Sequence, residues 1–253
     1  VLFAGYGAQG GTVKQLRELL DSTGREVFVN SSRGLLYPYD PTDQGWRDKV
    51  VKAVTRMKDE LNFERSRSKF LLVLGVSGVG KSEIMRELRK LDSRFVYISP
   101  FMTRGLRLNE TDKIPISDAE LDEKQQRGEL LVINDLYGIR YATPRELLMQ
   151  TFREEKFPLL DWPINRLDIM EQAFPGKIYR VYIEPPDLDT LQIHLADGRD
   201  PDQKRFDSAV IELIALKLGR YDSHIDCRAM SRENEITAVA KEIYAQYLQS
   251  MGL

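Results

Sequence analysis

Cysteine occurs once in the chain, at Cys227, and histidine twice, at His194 and His224. A single thiol cannot build an intrachain disulfide framework, and so few thiols and imidazoles argue against a zinc site of the His/Cys kind. A basic surplus is missing too. Lys and Arg number 37 against 39 Asp and Glu, a net charge of −2, which leaves no excess positive charge to neutralise a nucleic-acid backbone. No apolar run approaches the ~18–20 residues that span a bilayer, and the first residues carry no basic segment followed by an apolar core. These absences predict a cytoplasmic chain with neither a nucleic-acid nor a membrane partner. What is present, 42% hydrophobic and 30% charged residues in a chain of 253, suits one large or two small globular domains.

The most informative stretch is Gly75-Val76-Ser77-Gly78-Val79-Gly80-Lys81-Ser82, a G-x-x-x-x-G-K-S run. The apolar Phe70-Leu71-Leu72-Val73-Leu74 precedes it and reads as a strand; Glu83 to Lys90 follows and reads as a helix. This is a P-loop in its proper context. Its glycines let successive N–H groups turn inward around a β-phosphate, and the next helix offers its positive end to the same anion. Lys81 then reaches the β/γ oxygens and Ser82 holds Mg²⁺, so ATP and Mg²⁺ are the expected cofactors.

The chain begins with Val rather than Met and enters at once the apolar Val1-Leu2-Phe3-Ala4, read as a buried strand, which suggests a piece of a longer polypeptide. Gly5-Tyr6-Gly7-Ala8-Gln9-Gly10-Gly11 follows, then a helix capped by Thr12 with Val13, Leu16, Leu19 and Leu20 on one face, then a strand Glu26–Asn30 and the polar Ser31-Ser32-Arg33-Gly34. Strand, Gly-rich loop, helix, strand, polar loop is a βαβ rhythm. The pair GYGAQGG and VNSSRG, within residues 1–62, resembles the closing βα units of bacterial orotidine 5′-phosphate decarboxylase, a TIM barrel. The resemblance implies that Gln9, Ser32 and Arg33 grip a substrate phosphate, as loops after the last barrel strands commonly do. Two strands cannot close an eight-stranded barrel. The Asp and Lys array that drives decarboxylation in that family is absent, so this portion is expected to be inactive by itself and to lack an N-terminal decarboxylase part of its parent. Trp46 to Leu61 reads as the last barrel helix, and the basic, polar 63–69 as a linker.

From Phe70 the predicted order is strand, P-loop, helix, strand Phe95–Ile98, a polar insert, two short strands near 130–142, a helix over 144–154, strand Phe157–Asp161, a helix over 165–173, a strand over 178–183 and three helical segments. Such alternation argues for a parallel sheet covered by helices. The insert carries Thr103-Arg104-Gly105-Leu106-Arg107, two arginines three apart beside hydroxyls, a pattern that suits a second phosphate. Together with Tyr141-Ala142-Thr143 and the lid-like Gly198-Arg199-Asp200 to Arg205, the order of these motifs over 70–253 resembles guanylate kinase. The fold implied is an α/β P-loop nucleoside monophosphate kinase with a parallel sheet, an inserted acceptor-binding region and a lid, preceded by the last two βα units of a TIM barrel.

The resemblance also assigns roles. Arg104, Arg107, Tyr141 and Thr143 bind the acceptor nucleotide, Asp161 serves the acceptor or the metal, and Lys81, Arg199 and Arg205 neutralise the transferred phosphoryl group. It departs from the family where Val132 stands in place of a guanine-reading Glu, Pro163 in place of the second Asp of an L-D-x-D signature, Lys113 in place of a phosphate-binding Tyr, and Ala142 in place of a Gly. The expected reaction is ATP-dependent phosphorylation of a nucleoside monophosphate, GMP by resemblance. UMP or another pyrimidine is the alternative, for which Asn134 could supply both ends of an amide, and a catalytically silent protein-binding module is the third reading.

Overall fold

The computed structural model describes residues 1–20, 27–40, 42–106, 111–136, 138–196, 204–231 and 235–253. The chain forms two compact units, one of residues 1–67 with 152–155, the other of residues 68–151 with 156–253.

In the first unit the strands β1 (Leu2–Ala4) and β2 (Phe28–Asn30) pair in parallel with Phe3 opposite Val29, and the helices are α1 (Val13–Arg17), α2 (Ser32–Leu36) and α3 (Trp46–Arg65). Thr12 opens α1 with a capping box: its hydroxyl accepts from the Gln15 N–H, while the Gln15 side chain accepts from the Thr12 N–H. Such reciprocal bonding satisfies two donors left open at a helix start. The loops that follow the two strands are tied together, since the Ser31 hydroxyl donates to the Tyr6 carbonyl at 2.9 Å. Burial of the first strand is not realised. Leu2 is 69% exposed and Phe28 on β2 is 76% exposed, because a two-stranded sheet has little to pack across its faces. The expected linker also begins inside a helix, as α3 continues to Arg65. These residues form two βα units, and their assignment to a barrel rests on the sequence motif alone.

The second unit is built on a five-stranded sheet in the order β11-β10-β3-β9-β4, with β3 (Phe70–Leu74), β4 (Phe95–Tyr97), β9 (Phe157–Asp161), β10 (Ile178–Glu184) and β11 (Cys227–Met230) all parallel to their neighbours. Every residue of β3 is buried, which explains why its sequence is a continuous apolar run rather than an alternating one. Leu71 and Val73 share a core with Ile84, Met85 and Leu88 of α4 (Lys81–Leu91) and with Val239, Ala240, Ile243 and Tyr247 of α10 (Ile236–Ser250). Phe70 instead meets the Phe174 ring, with centroids 4.6 Å apart, just beyond α7 (Leu167–Ala173). Strand β11 falls where the sequence pattern indicates only helices. Cys-Arg-Ala-Met has little strand propensity of its own, and the free edge of β10 supplies the pairing that makes it a strand.

A second sheet of four strands, ordered β6-β5-β8-β7, grows out of the insert: β5 (Phe101–Met102), β6 (Ile114–Pro115), β7 (Leu130–Leu136) and β8 (Ile139–Pro144). Helix α5 (Asp118–Gln126) covers it, starting with a second capping box between Ser117 and Glu120. Arg140 of β8 fastens helix to sheet through Asp118 at 3.1 Å and Asp122 at 2.7 Å. Helix α6 (Arg145–Arg153) returns the chain to β9, and α8 (Leu188–Leu195) and α9 (Lys204–Lys217) connect β10 to β11.

One polar clip holds the turn between α4 and β4 against α10. Asp92 accepts from the Arg94 guanidinium at 2.7 Å and from the Tyr244 hydroxyl at 2.6 Å. Mainly through the Arg94 bonds, with Tyr244 adding to them against the opposing effect of burial, its carboxyl is held down to about 2. A depressed folded-state value stabilises the fold above the unfolded carboxyl range and loses that contribution as the pH falls toward 2. Asp92→Asn should therefore lower the melting temperature near pH 7, and the gap to the wild type should close between pH ~4 and ~2. Thermal denaturation across that range checks it; a gap independent of pH would contradict the assignment.

Candidate active site

The loop from Gly75 to Gly80 leaves the carboxyl end of β3, the central strand, which is where open parallel sheets place ligands. Gly75 has φ +137°, and a Cβ there would stand 2.6 Å from the Ile183 carbonyl oxygen of β10. Only glycine lets the chain pass so close to the neighbouring strand in that conformation. Gly80 caps α4 with φ +88° and offers no side-chain acceptor, so the first-turn N–H groups of the helix are left to an anion. The His194 ring of α8 meets the Gly78 carbonyl at 3.0 Å and braces the loop from outside.

Lys81 Nζ donates to the Gly75 carbonyl at 2.8 Å and the Val76 carbonyl at 3.0 Å, and lies 3.8 Å from an Asp161 carboxylate oxygen. The ammonium is thus held over the loop by the loop's own carbonyls, at a place where a triphosphate oxygen could replace them. Ser82 follows in the first turn of α4 with its side chain exposed.

A cleft of about 660 Å³ opens beside this loop. Gly75, Ser77 and Lys81 line it from the P-loop, and Tyr97 and Asp161 from the ends of β4 and β9. From the insert come Arg104, Lys113, Asn134, Tyr141 and Thr143, and from α9 come Arg205, Ser208 and Glu212. Register explains the insert's share. Asn134 of β7 pairs with Tyr141 of β8, Val132 pairs with Thr143, and Tyr141 pairs in turn with Met102 of β5. Residues two apart on a strand share a face, so Val132, Asn134, Tyr141 and Thr143 form one surface. Arg104 follows β5 directly and donates to the Gly105 carbonyl at 2.7 Å.

Of the residues singled out from sequence, Gly75, Ser77, Lys81, Arg104, Tyr141, Thr143, Asp161 and Arg205 come together in this cleft, and Gly78, Val79, Gly80 and Ser82 complete the loop beside it. Arg107 and Arg199 lie outside the described residues. Gln9, Ser32 and Arg33 belong to the first unit, where their side chains are exposed in the loop after β1 and the first turn of α2.

Glu212 and its partner Tyr182 escaped sequence reasoning. Tyr182, fully buried in β10, donates its hydroxyl to Glu212 at 2.7 Å. Burial pushes the Glu212 carboxyl up, with the Tyr182 hydroxyl and the Lys81 ammonium opposing the rise. A signal did exist: Glu212 is the single charge in Ala209-Val210-Ile211-Glu212-Leu213-Ile214-Ala215-Leu216. A carboxylate kept within an apolar helical run beside a cleft is a mark of a site under functional constraint.

A family model described as guanylate kinase matches residues 67–226 of the chain. The chain belongs to the guanylate kinase family. The guanylate kinase of Thermobifida fusca (strain YX) is 34% identical over 151 residues, covering 56% of this chain and 76% of that one. That of Lactococcus lactis subsp. lactis (strain IL1403) is 26% identical over 188 residues, covering 72% and 90%. The crystal structure of guanylate kinase from Anaplasma phagocytophilum superposes with a TM-score of 0.58 at 16% identity, covering 74% of this chain and 87% of that one, which is a likeness of fold. The chain is therefore a P-loop nucleoside monophosphate kinase, and the matched span takes in the P-loop, the four-stranded sheet and the described part of α9. No helix among the described residues is long and apolar enough to cross a membrane.

The raised Glu212 carboxyl makes a stability prediction of the opposite sign to that for Asp92. A carboxyl whose folded value lies above its unfolded one weakens the fold as the pH rises through the folded value. Glu212→Gln keeps an acceptor for Tyr182 and removes the charge, so it should gain melting temperature relative to wild type at pH 8 more than at pH 4. A larger loss at pH 8 than at pH 4 would show that the ionised carboxylate is a net stabiliser, and an effect equal at both pH values would show that its ionisation is not linked to folding.

Proposed function

We propose that the cleft transfers the γ-phosphoryl group of ATP to a nucleoside monophosphate, with GMP, the acceptor that the family's name implies, as the reference substrate. The observation that carries this is the convergence of Lys81, Arg104, Tyr141, Asp161 and Arg205 on a single cleft beside the P-loop. It allows two phosphate groups to be held at once, one by the loop and one by the insert. The attacking group is the acceptor's own phosphate oxygen, so no side-chain nucleophile is needed, and the protein's work is alignment and charge neutralisation.

The residues present fit ATP with Mg²⁺. The loop turns at Gly75, where a Cβ would meet the Ile183 carbonyl, and leads through Gly80 into α4, whose first-turn N–H groups have no side-chain cap. Beside it stand a Ser82 hydroxyl and an Asp161 carboxylate whose side chain is 37% exposed. Ser82 and Asp161 would hold Mg²⁺, which supplies counter-charge to the phosphates and characteristically takes few protein ligands. Lys81 is placed to exchange its carbonyl partners for phosphate oxygens, Arg104 and Tyr141 to orient the acceptor phosphate, and Arg205 to offset charge on the group in flight. Arg107 and Arg199 are assigned to the same two tasks on sequence grounds.

The resemblance of residues 1–62 to a decarboxylase is a proposal of a second phosphate site. The loops carrying Gln9 and Ser32-Arg33 leave the carboxyl ends of two adjacent parallel strands, which supports a shared task. It makes no claim of decarboxylation by this chain.

Lys81→Ala should lower GMP-dependent ADP formation by about 10³-fold or more while the far-UV spectrum and melting temperature stay near wild type. Near-normal turnover in the folded variant would remove Lys81 from the reaction. A folded wild-type chain that consumes no ATP with any nucleoside monophosphate would favour the binding-module reading.

A further inference from the structure

Asn134 is 5% exposed, lines the cleft, and its Oδ1 is buried without a hydrogen-bond partner among the described residues. Buried polar atoms in folded proteins are nearly always satisfied, and an orphan at a binding cleft points to a ligand that completes it. On the strand face that carries it, Asn134 is joined by the uncharged Val132, Tyr141 and Thr143, an aliphatic side chain, a phenol and a hydroxyl, with the cations Arg104 and Lys113 elsewhere in the cleft. The carboxylates that line the cleft are differently engaged or placed. Asp161 faces Lys81, Glu212 accepts from Tyr182, and Asp135, adjacent in sequence to Asn134, has the opposite strand parity.

We infer that Asn134 reads the acceptor's base, and that it reads a lactam edge, an N–H beside a C=O, and leaves a neighbouring amino group unread. This rests on the kinase reading of the cleft. An amide carries one acceptor and one donating end, which match the N–H and C=O of a lactam. Guanine, hypoxanthine and uracil all present that edge. Guanine differs from hypoxanthine by a 2-amino group alone, and the group suited to that amine together with the adjacent N–H is a carboxylate accepting two bonds. Among the described residues of the strand face carrying Asn134 there is none. The base pocket therefore selects lactam bases as a class, and guanine gains no advantage from its amine. Uracil is a pyrimidine of that class, so UMP is an acceptor as well.

The decisive comparison is GMP against IMP, two nucleotides of the same outline apart from that amine. Calorimetric binding to the wild-type chain should give dissociation constants for GMP and IMP within about threefold of each other, and kcat/KM should follow the same ratio. Asn134→Ala should weaken GMP, IMP and UMP by about tenfold or more and leave the KM for ATP unchanged, a split that a merely structural asparagine would not produce. Asn134→Asp should bring a carboxylate to the edge and raise the preference for GMP over IMP by about tenfold. A wild-type preference for GMP over IMP of about a hundredfold, or an Asn134→Ala variant with unchanged acceptor affinity, would overturn the inference. Normal nucleotide binding without turnover would count against the kinase reading alone, and the binding comparison would still decide the role of Asn134.

Discussion

The burial of β3 on both faces is the constraint from which the site follows. Phe70 to Leu74 have no exposed face to give up, so the strand is fixed in depth and in register between β9 and β10, with Leu72 opposite both Leu160 and Arg180. Fixing the strand fixes the point at which the loop emerges. Gly75 then has to pass the β10 backbone at a distance no side chain tolerates, and Lys81 lands above the loop carbonyls with Asp161 at the end of the adjacent strand. The fold's strongest apolar packing thus sets the position of its most polar loop.

Polar groups in the second unit divide by how completely they are satisfied. Away from the cleft, Asp92, Arg94 and Tyr244 bond one another, and Arg140 has carboxylates at Asp118 and Asp122; these contacts hold elements in place. At the cleft, Lys81 rests on backbone carbonyls, Glu212 keeps its carboxyl against the desolvation of its site, and the Asn134 carbonyl has no partner among the described residues. Stability forgone at such positions is what a binding site requires, because a group already fully bonded has nothing left for a substrate.

Features encoded locally were the ones legible in the sequence. The P-loop combines a spacing, a preceding apolar run and a following helix, all within about twenty residues, and each is an independent local signal. The cap at Thr12 and the alternation of strands and helices were legible for the same reason. Strand β11 was not, because Cys227 to Met230 pair with residues more than forty positions earlier in the chain. Nor was the exposure of β1, since burial depends on what lies across a strand and not on the strand's own residues. In the site, Arg104, Tyr141 and Thr143 were found through the order of motifs. Glu212 depends on Tyr182, thirty positions away, and only its isolation among apolar neighbours hinted at it.

That one cleft holds both phosphate groups at the same time is the central claim, and a bisubstrate ligand tests it directly. A guanosine and an adenosine joined through five phosphates should bind the wild-type chain about a hundredfold or more tighter than ATP, since tethering makes the second contact intramolecular. Affinity no greater than that of ATP would mean that the P-loop and the Arg104 region do not serve one reaction.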